Sequence, residues 1–144
     1  MVFLVSWGSA HANAGLREPE APAGCNIEQA ARTHRELRHQ PGHFDGASRH
    51  DAVDRWNGPL HSAMQCLAKA FGQGGQDILR LRQLMGPVDK IINAQDAQVR
   101  PLKDGFAPNA RQFWIYHWRG EHDYLVFAIR QRSVLAVRWY YAGE

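Results

Sequence analysis

The chain has 144 residues, of which 44% are hydrophobic and 22% charged, with a formal net charge of +3. This length suits one domain, since two would each be short of core, and the composition excludes wholesale disorder. The cationic excess lies in Arg111, Arg119, Arg130, Arg132 and Arg138; it can attract anions but is too small to demand nucleic acid as a partner.

Residues 1–25 read as a flexible leader, ending in the proline- and glutamate-bearing stretch AGLREPEAPAG. Val2 to Val5 is shorter than the roughly 7–15 apolar residues of a secretory core, although Ala10-His11-Ala12 has the form of a cleavage site. A cytoplasmic location is therefore expected, with secretion as the alternative. No run approaches the roughly 20 apolar residues of a membrane span, so no membrane association is expected. Cys25 and Cys66 are too few for a disulfide framework or a zinc site; a single bridge between them stays open if the chain is exported.

Residues 26–144 are expected to form one α+β domain, with helices over about 26–86 and a sheet over about 111–142. Asn26, with Gln29 three residues on, resembles a capping box ahead of the stripe Ile27, Ala30, Ala31, Leu37. A second helix is expected from Ser48, with Asp51 in its first turn and Ala52, Val53 and Trp56 along it. Asn57-Gly58-Pro59 interrupts it, and Pro59 suits the first position of a third helix with Leu60, Met64, Leu67 and Phe71 on one face. The glycine cluster Gly72 to Gln76 reads as a helix–helix connection. Ile78, Leu81, Leu84 and Met85 mark the next helix, stopped at Gly86-Pro87. Residues 88–110 show no clear period; Ile91, Ile92 and Val99 fit either a helix or a short strand.

From Gln112 the pattern alternates. Strands are expected over Gln112–Trp118, Tyr124–Ile129 and Val134–Tyr141, joined by short turns as an antiparallel meander. With Gly120-Glu121 as the first turn, Arg119 faces His122, Trp118 faces Asp123, Tyr116 faces Leu125 and Trp114 faces Phe127. Trp114, Tyr116, Trp118, Leu125, Phe127 and Ile129 then share the face under the helices, while Phe113, Ile115, His117, Tyr124 and Val126 share the other. Leu135, Val137 and Trp139 are the expected buried set of the third strand. A bulge or odd loop near Gln131 to Ser133 is predicted, because a plain two-residue turn would bury Arg138 opposite Leu125.

The leading functional expectation is a non-enzymatic protein-interaction module, using an open sheet face with Phe113, Ile115, His117, Tyr124 and Arg138 as anchors. The partner is expected to be another protein or a second copy of the chain. Arg119, Glu121, His122 and Asp123 form a polar cluster read mainly as turn chemistry. An alternative makes His117, His122 and Asp123 a hydrolytic or metal-dependent site. A second alternative is single-stranded nucleic-acid binding, with aromatics stacking bases and the C-terminal arginines holding phosphates. His34, His39, His43 and His50 lie in or beside one helix and a loop, and His61 sits at the edge of an amphipathic helix; none is expected to ligate a metal. No nucleophile elbow, phosphate loop, zinc-protease helix or Cys-x-x-Cys is present, and no cofactor is expected.

LMGPVDK (84–90), followed by strands with Trp-x-Tyr-x-Trp and Asp-Tyr-Leu-x-Phe, resembles the small-lipoprotein and β-lactamase-inhibitor-protein architecture of the SmpA/OmlA group. The spacing departs from that group, since glycine and proline are adjacent here. The tail, with Trp-Arg-Gly-x-His-Asp-Tyr-Leu-x-Phe and a terminal Trp-Tyr-Tyr-Ala-x-Glu, is also similar to small fungal-type proteins. The resemblance covers Asp77 to Glu144, and implies a protein-binding or assembly role with no catalytic residues. The group's lipid-bearing cysteine follows an apolar run, whereas Cys25 follows a proline-rich leader.

Overall fold

A computed structural model describes residues 15–96 and 105–143. The chain is α+β, with its helices mostly in the first half and an antiparallel sheet completed by the second. Three helices of two turns or more, α1 (Ile27–Leu37), α3 (Pro59–Lys69) and α4 (Ile78–Met85), and a single turn, α2 (Asp51–Asp54), precede the main strands. The strands are β1 (Gly15–Arg17), β2 (Gln76–Asp77), β3 (Lys90–Asn93), β4 (Gln112–Trp118), β5 (Gly120–Arg130) and β6 (Ser133–Tyr141). Their order is β1-β6-β5-β4-β3, with β2 on β6 beside the start of that strand. Among the described residues no helix is long and apolar enough to cross a membrane.

Local chemistry sets the helix ends. Asn26 Oδ1 accepts the Gln29 amide at 2.9 Å, and Asp77 Oδ1 accepts that of Leu79 at 2.7 Å, each satisfying a donor the helix leaves unpaired. Pro59 holds the first position of α3 as expected. The second helix differs from the reading of the sequence: it starts at Asp51 and stops after one turn, because Arg55 is extended and Asn57 is left-handed (φ 58°). Trp56 thus leaves the helix and stands 45% exposed. The glycine cluster is a connection, as expected, stitched to the sheet by Gly75 N–H to Val134 O at 2.7 Å. At Gly74 (φ +74°) a Cβ would lie 2.6 Å from Leu135 O, so both conformation and space require glycine.

The leader is not wholly separate from the domain. Gly15–Arg17 pairs with Tyr141–Trp139, and Pro19 is buried. Its first fourteen residues, including Ala10-His11-Ala12, lie outside the described residues, as does Val99. Ile91 and Ile92 fall in β3, paired with Trp114 and Phe113.

The meander carries the expected pairs Trp114–Phe127 and Tyr116–Leu125. Under α1, α3 and α4 the sheet buries Trp114, Tyr116, Trp118, Leu125, Phe127 and Ile129 in one cluster with Met64, Leu67 and Phe71. The register corrects two details. Beyond His117 it shifts, so that Trp118 faces Gly120 and Arg119 bridges Asp123. The second irregularity lies between Ala128 and Ile129 and leaves Leu135 of β6 unpaired, two residues past the expected place. It spares Arg138 the core face, setting it opposite Val126. It also turns Val134 inward in place of Leu135, which packs on the opposite face with Phe113.

Candidate functional site

The outer sheet face is only partly open. Phe113 (0% exposed) and Ile115 (2%) are buried in a second apolar cluster with Val126, Ala128, Ala107 and Ala110, with Phe106 packed against it. The expectation that both would serve as surface anchors is therefore corrected: the sheet is sandwiched between two apolar layers at its middle. Three of its half-exposed residues form a row across three strands. His117, Tyr124 and Tyr140 are successive cross-strand partners; the tyrosine rings stack at 4.8 Å and His117 meets Tyr124 edge-on at 6.4 Å. Burial, then the neighbouring Tyr140, raises the Tyr124 hydroxyl above its ordinary pKa. Arg138 lies nearby, over the Phe106 ring at 5.1 Å, with Glu18 3.4 Å from its guanidinium.

At the β4–β5 corner the polar residues gather on the other face. Asp123 is fully buried. Its Oδ2 accepts Arg119 Nε at 2.6 Å and lies 2.6 Å from Arg119 Nη2, while Oδ1 accepts the Ala142 amide at 3.1 Å. His122 Nδ1 is 3.0 Å from Oδ2; a carboxylate only accepts, so the proton sits on Nδ1. The Arg119 guanidinium also contacts the rings of Phe44 (4.5 Å) and Trp118 (4.4 Å). Glu121 is exposed. The structure thus brings together three of the four cluster residues. It does not bring in His117, whose ring meets Tyr124 on the outer face while Asp123 is buried on the inner one. The hydrolytic arrangement of His117, His122 and Asp123 does not converge. Among the described residues no group of three His, Cys, Asp or Glu side chains is placed to hold a metal ion.

Behind this corner lies an aromatic cluster centred on His61, which is buried, not at the helix edge. Its ring stacks on Trp118 at 4.1 Å and approaches Trp56 and Trp139 at 4.7 and 5.1 Å. Nδ1 accepts the Asn57 amide at 3.0 Å, so Nε2 carries the proton and donates to the Tyr141 hydroxyl at 3.0 Å. Burial, reinforced by the Arg119 charge and opposed by Asp123, pushes the imidazole down to about 4. His34, buried beside Tyr116, is pushed down to about 3 by burial and then by Arg38. Both histidines fold as neutral rings and protonate more readily in the unfolded chain. Their contribution to stability is complete above the unfolded value of 6.5 and is lost as pH falls toward about 4 and about 3. Urea unfolding is expected to show roughly 1 kcal/mol less stability at pH 6 than at pH 7, with a further fall at pH 5. Equal stability at all three would show that neither ring is held neutral.

In front of the corner is a cleft of about 450 Å³. Phe44 and Trp56 supply its rings, Arg119 adjoins them, and Arg49 and Arg55 stand at its rim. Asp54 holds its two sides together: Oδ2 accepts the amides of His43 (2.9 Å) and His50 (2.8 Å). Its Oδ1 presses on Gly42, where an added Cβ would meet it at 2.2 Å. No family model, curated protein or solved structure matches this chain. The sequence reading missed the cleft, since Arg119 lies far along the chain from the 43–56 segment and Trp56 was expected on a helix. A tryptophan directly before Asn-Gly-Pro was the available signal that it leaves the helix.

One further link is covalent. Cys25, exposed, is bonded to Cys66, buried in α3. The bridge ties the segment before α1 to α3.

Proposed function

We propose that this chain is a non-enzymatic recognition module working in an oxidising compartment, and that it binds a protein partner through the half-exposed end of its outer sheet face. The observation that carries the reading is the half-exposed row His117–Tyr124–Tyr140 beside Arg138. The middle of this face is packed under an apolar layer, whereas among the described residues these rings stay half-exposed at its end. Aromatic side chains and arginine are the residue types that anchor protein interfaces. The resemblance of Asp77–Glu144 to the SmpA/OmlA group, read from sequence, supports an assembly role. The disulfide supports export, because thiols in a reducing cytosol stay reduced.

A photo-crosslinking residue at Tyr140 is expected to give a discrete adduct, with either a second protein or another copy of the chain. The same residue at Leu79, exposed on α4 at the opposite layer, is expected to give none. Equal labelling from both positions, or none from either, sinks the surface assignment. Export is checked separately: protein alkylated in its native surroundings should carry no modified cysteine before reduction.

A further inference from the structure

We infer that the cleft beside Trp56 binds acidic sugar rings, as uronate units of an anionic saccharide. Its volume of about 450 Å³ is within the roughly 300–1,000 Å³ typical of ligand sites. The Trp56 indole is braced by Tyr141 at 4.7 Å, His61 at 4.7 Å and Trp118 at 5.6 Å, yet it remains 45% exposed. A large apolar ring that is rigidly backed and still open is a platform for stacking. Phe44 is already engaged by Arg119 and by His122, whose ring lies at 4.8 Å. The cleft therefore offers Trp56 as its one open indole, with the smaller, exposed imidazole of His43 also in its lining. One-sided stacking suits the C–H face of a pyranose, whereas a flat nucleobase gains most between two rings.

The rim sets the charge of the ligand. Arg49 is paired only with Asp51 at 2.8 Å, both about 70% exposed, and a pair so solvated exchanges its partner at little cost. Arg55 is exposed, with no ion pair among the described residues. Guanidinium groups match carboxylates in geometry and donor number. Asp54 is the carboxylate in the lining; it is buried, with Oδ2 taken by two backbone amides and Oδ1 without a partner among the described residues, and the guanidinium groups of Arg49 and Arg55 outnumber it. An apolar platform beside exposed guanidinium groups selects a ring that carries a carboxylate. The preference for a saccharide over a nucleotide rests partly on the export proposed above.

Calorimetric titration of the intact protein with trigalacturonate, maltotriose and adenosine monophosphate tests this. Saturable binding of trigalacturonate is expected, at least about tenfold tighter than maltotriose or the nucleotide, and weakened by added salt. Arg55→Glu should weaken it about tenfold or more. Trp56→Ala should abolish it, and Arg130→Glu, an exposed charge at the far end of β5, should leave it unchanged. Arg55 is exposed, so its variant keeps the test valid should Trp56→Ala unfold. No saturable binding at millimolar trigalacturonate, equal or tighter binding of maltotriose or nucleotide, or an Arg55→Glu protein that binds normally overturns the inference. The alkylation assay for export reads independently of this titration.

Discussion

Asp123→Ala is expected to cost roughly 3–5 kcal/mol of folding stability, the range found when one partner of a buried ion pair is removed. Asp123 is fully buried, and a single carboxylate serves the Arg119 guanidinium, the His122 imidazole and the Ala142 amide. Truncation removes the acceptor that these donors share. It also leaves the Arg119 charge, 7% exposed, beside aromatic rings without the carboxylate that compensates its desolvation. Asp123→Asn retains an oxygen for the Ala142 amide and should cost less. Arg119→Ala should cost nearly as much as Asp123→Ala, since it strands a buried carboxylate. Urea unfolding at pH 7 distinguishes these cases. A loss below about 1 kcal/mol for Asp123→Ala would place the pair in the solvated class.

Cys25→Ser is expected to cost roughly 2–4 kcal/mol, and to lower Tm by roughly 5–15 °C. The bridge spans a sequence separation of 41 residues, so cutting it returns a large closed loop to the unfolded ensemble. The native state loses less, because α1 packs on α3 through Ala30, Ala31 and Ala63 with or without the bond. The variant should therefore still fold. A reductant should lower the Tm of the natural protein by the same amount and leave that of Cys25→Ser unchanged. A wild-type Tm indifferent to reductant would mean that the bridge contributes nothing to stability.

These two features were unequally legible in the sequence. Alternation placed Trp114, Tyr116, Leu125 and Phe127 on the inner face, since a one-residue slip would expose them all. The Asn26 cap and Pro59 were readable because their effects are local. The closure of both sheet faces had a signal that alternation obscured: Phe113-Trp114-Ile115-Tyr116 and Leu125-Val126-Phe127-Ala128-Ile129 are continuous apolar runs, the pattern of a strand covered on both sides. The pairings of Gly15–Arg17 and Gln76–Asp77 with β6 were hidden, as pieces this short carry no period of their own. The position of the bulge was off by two residues because Val134 and Leu135 suit an apolar face equally well, and only the packing of the layers chooses between them. The cleft and the Arg119–Asp123 pair depend on contacts across the chain. Asp123 in particular reads as a turn residue; alternation from Leu125 sets it on the inner face, but only the irregular step after His117 brings Arg119 opposite it.

The pairing of β1 with β6 also fixes an order of assembly. β1 precedes every helix and its neighbour β6 follows the whole of β5, so this edge of the sheet stays unsealed until the intervening chain has been made. Contacts so distant along the chain close slowly. The helical half and the Cys25–Cys66 loop, whose partners lie closer along the chain, should therefore form ahead of the β1 edge of the sheet.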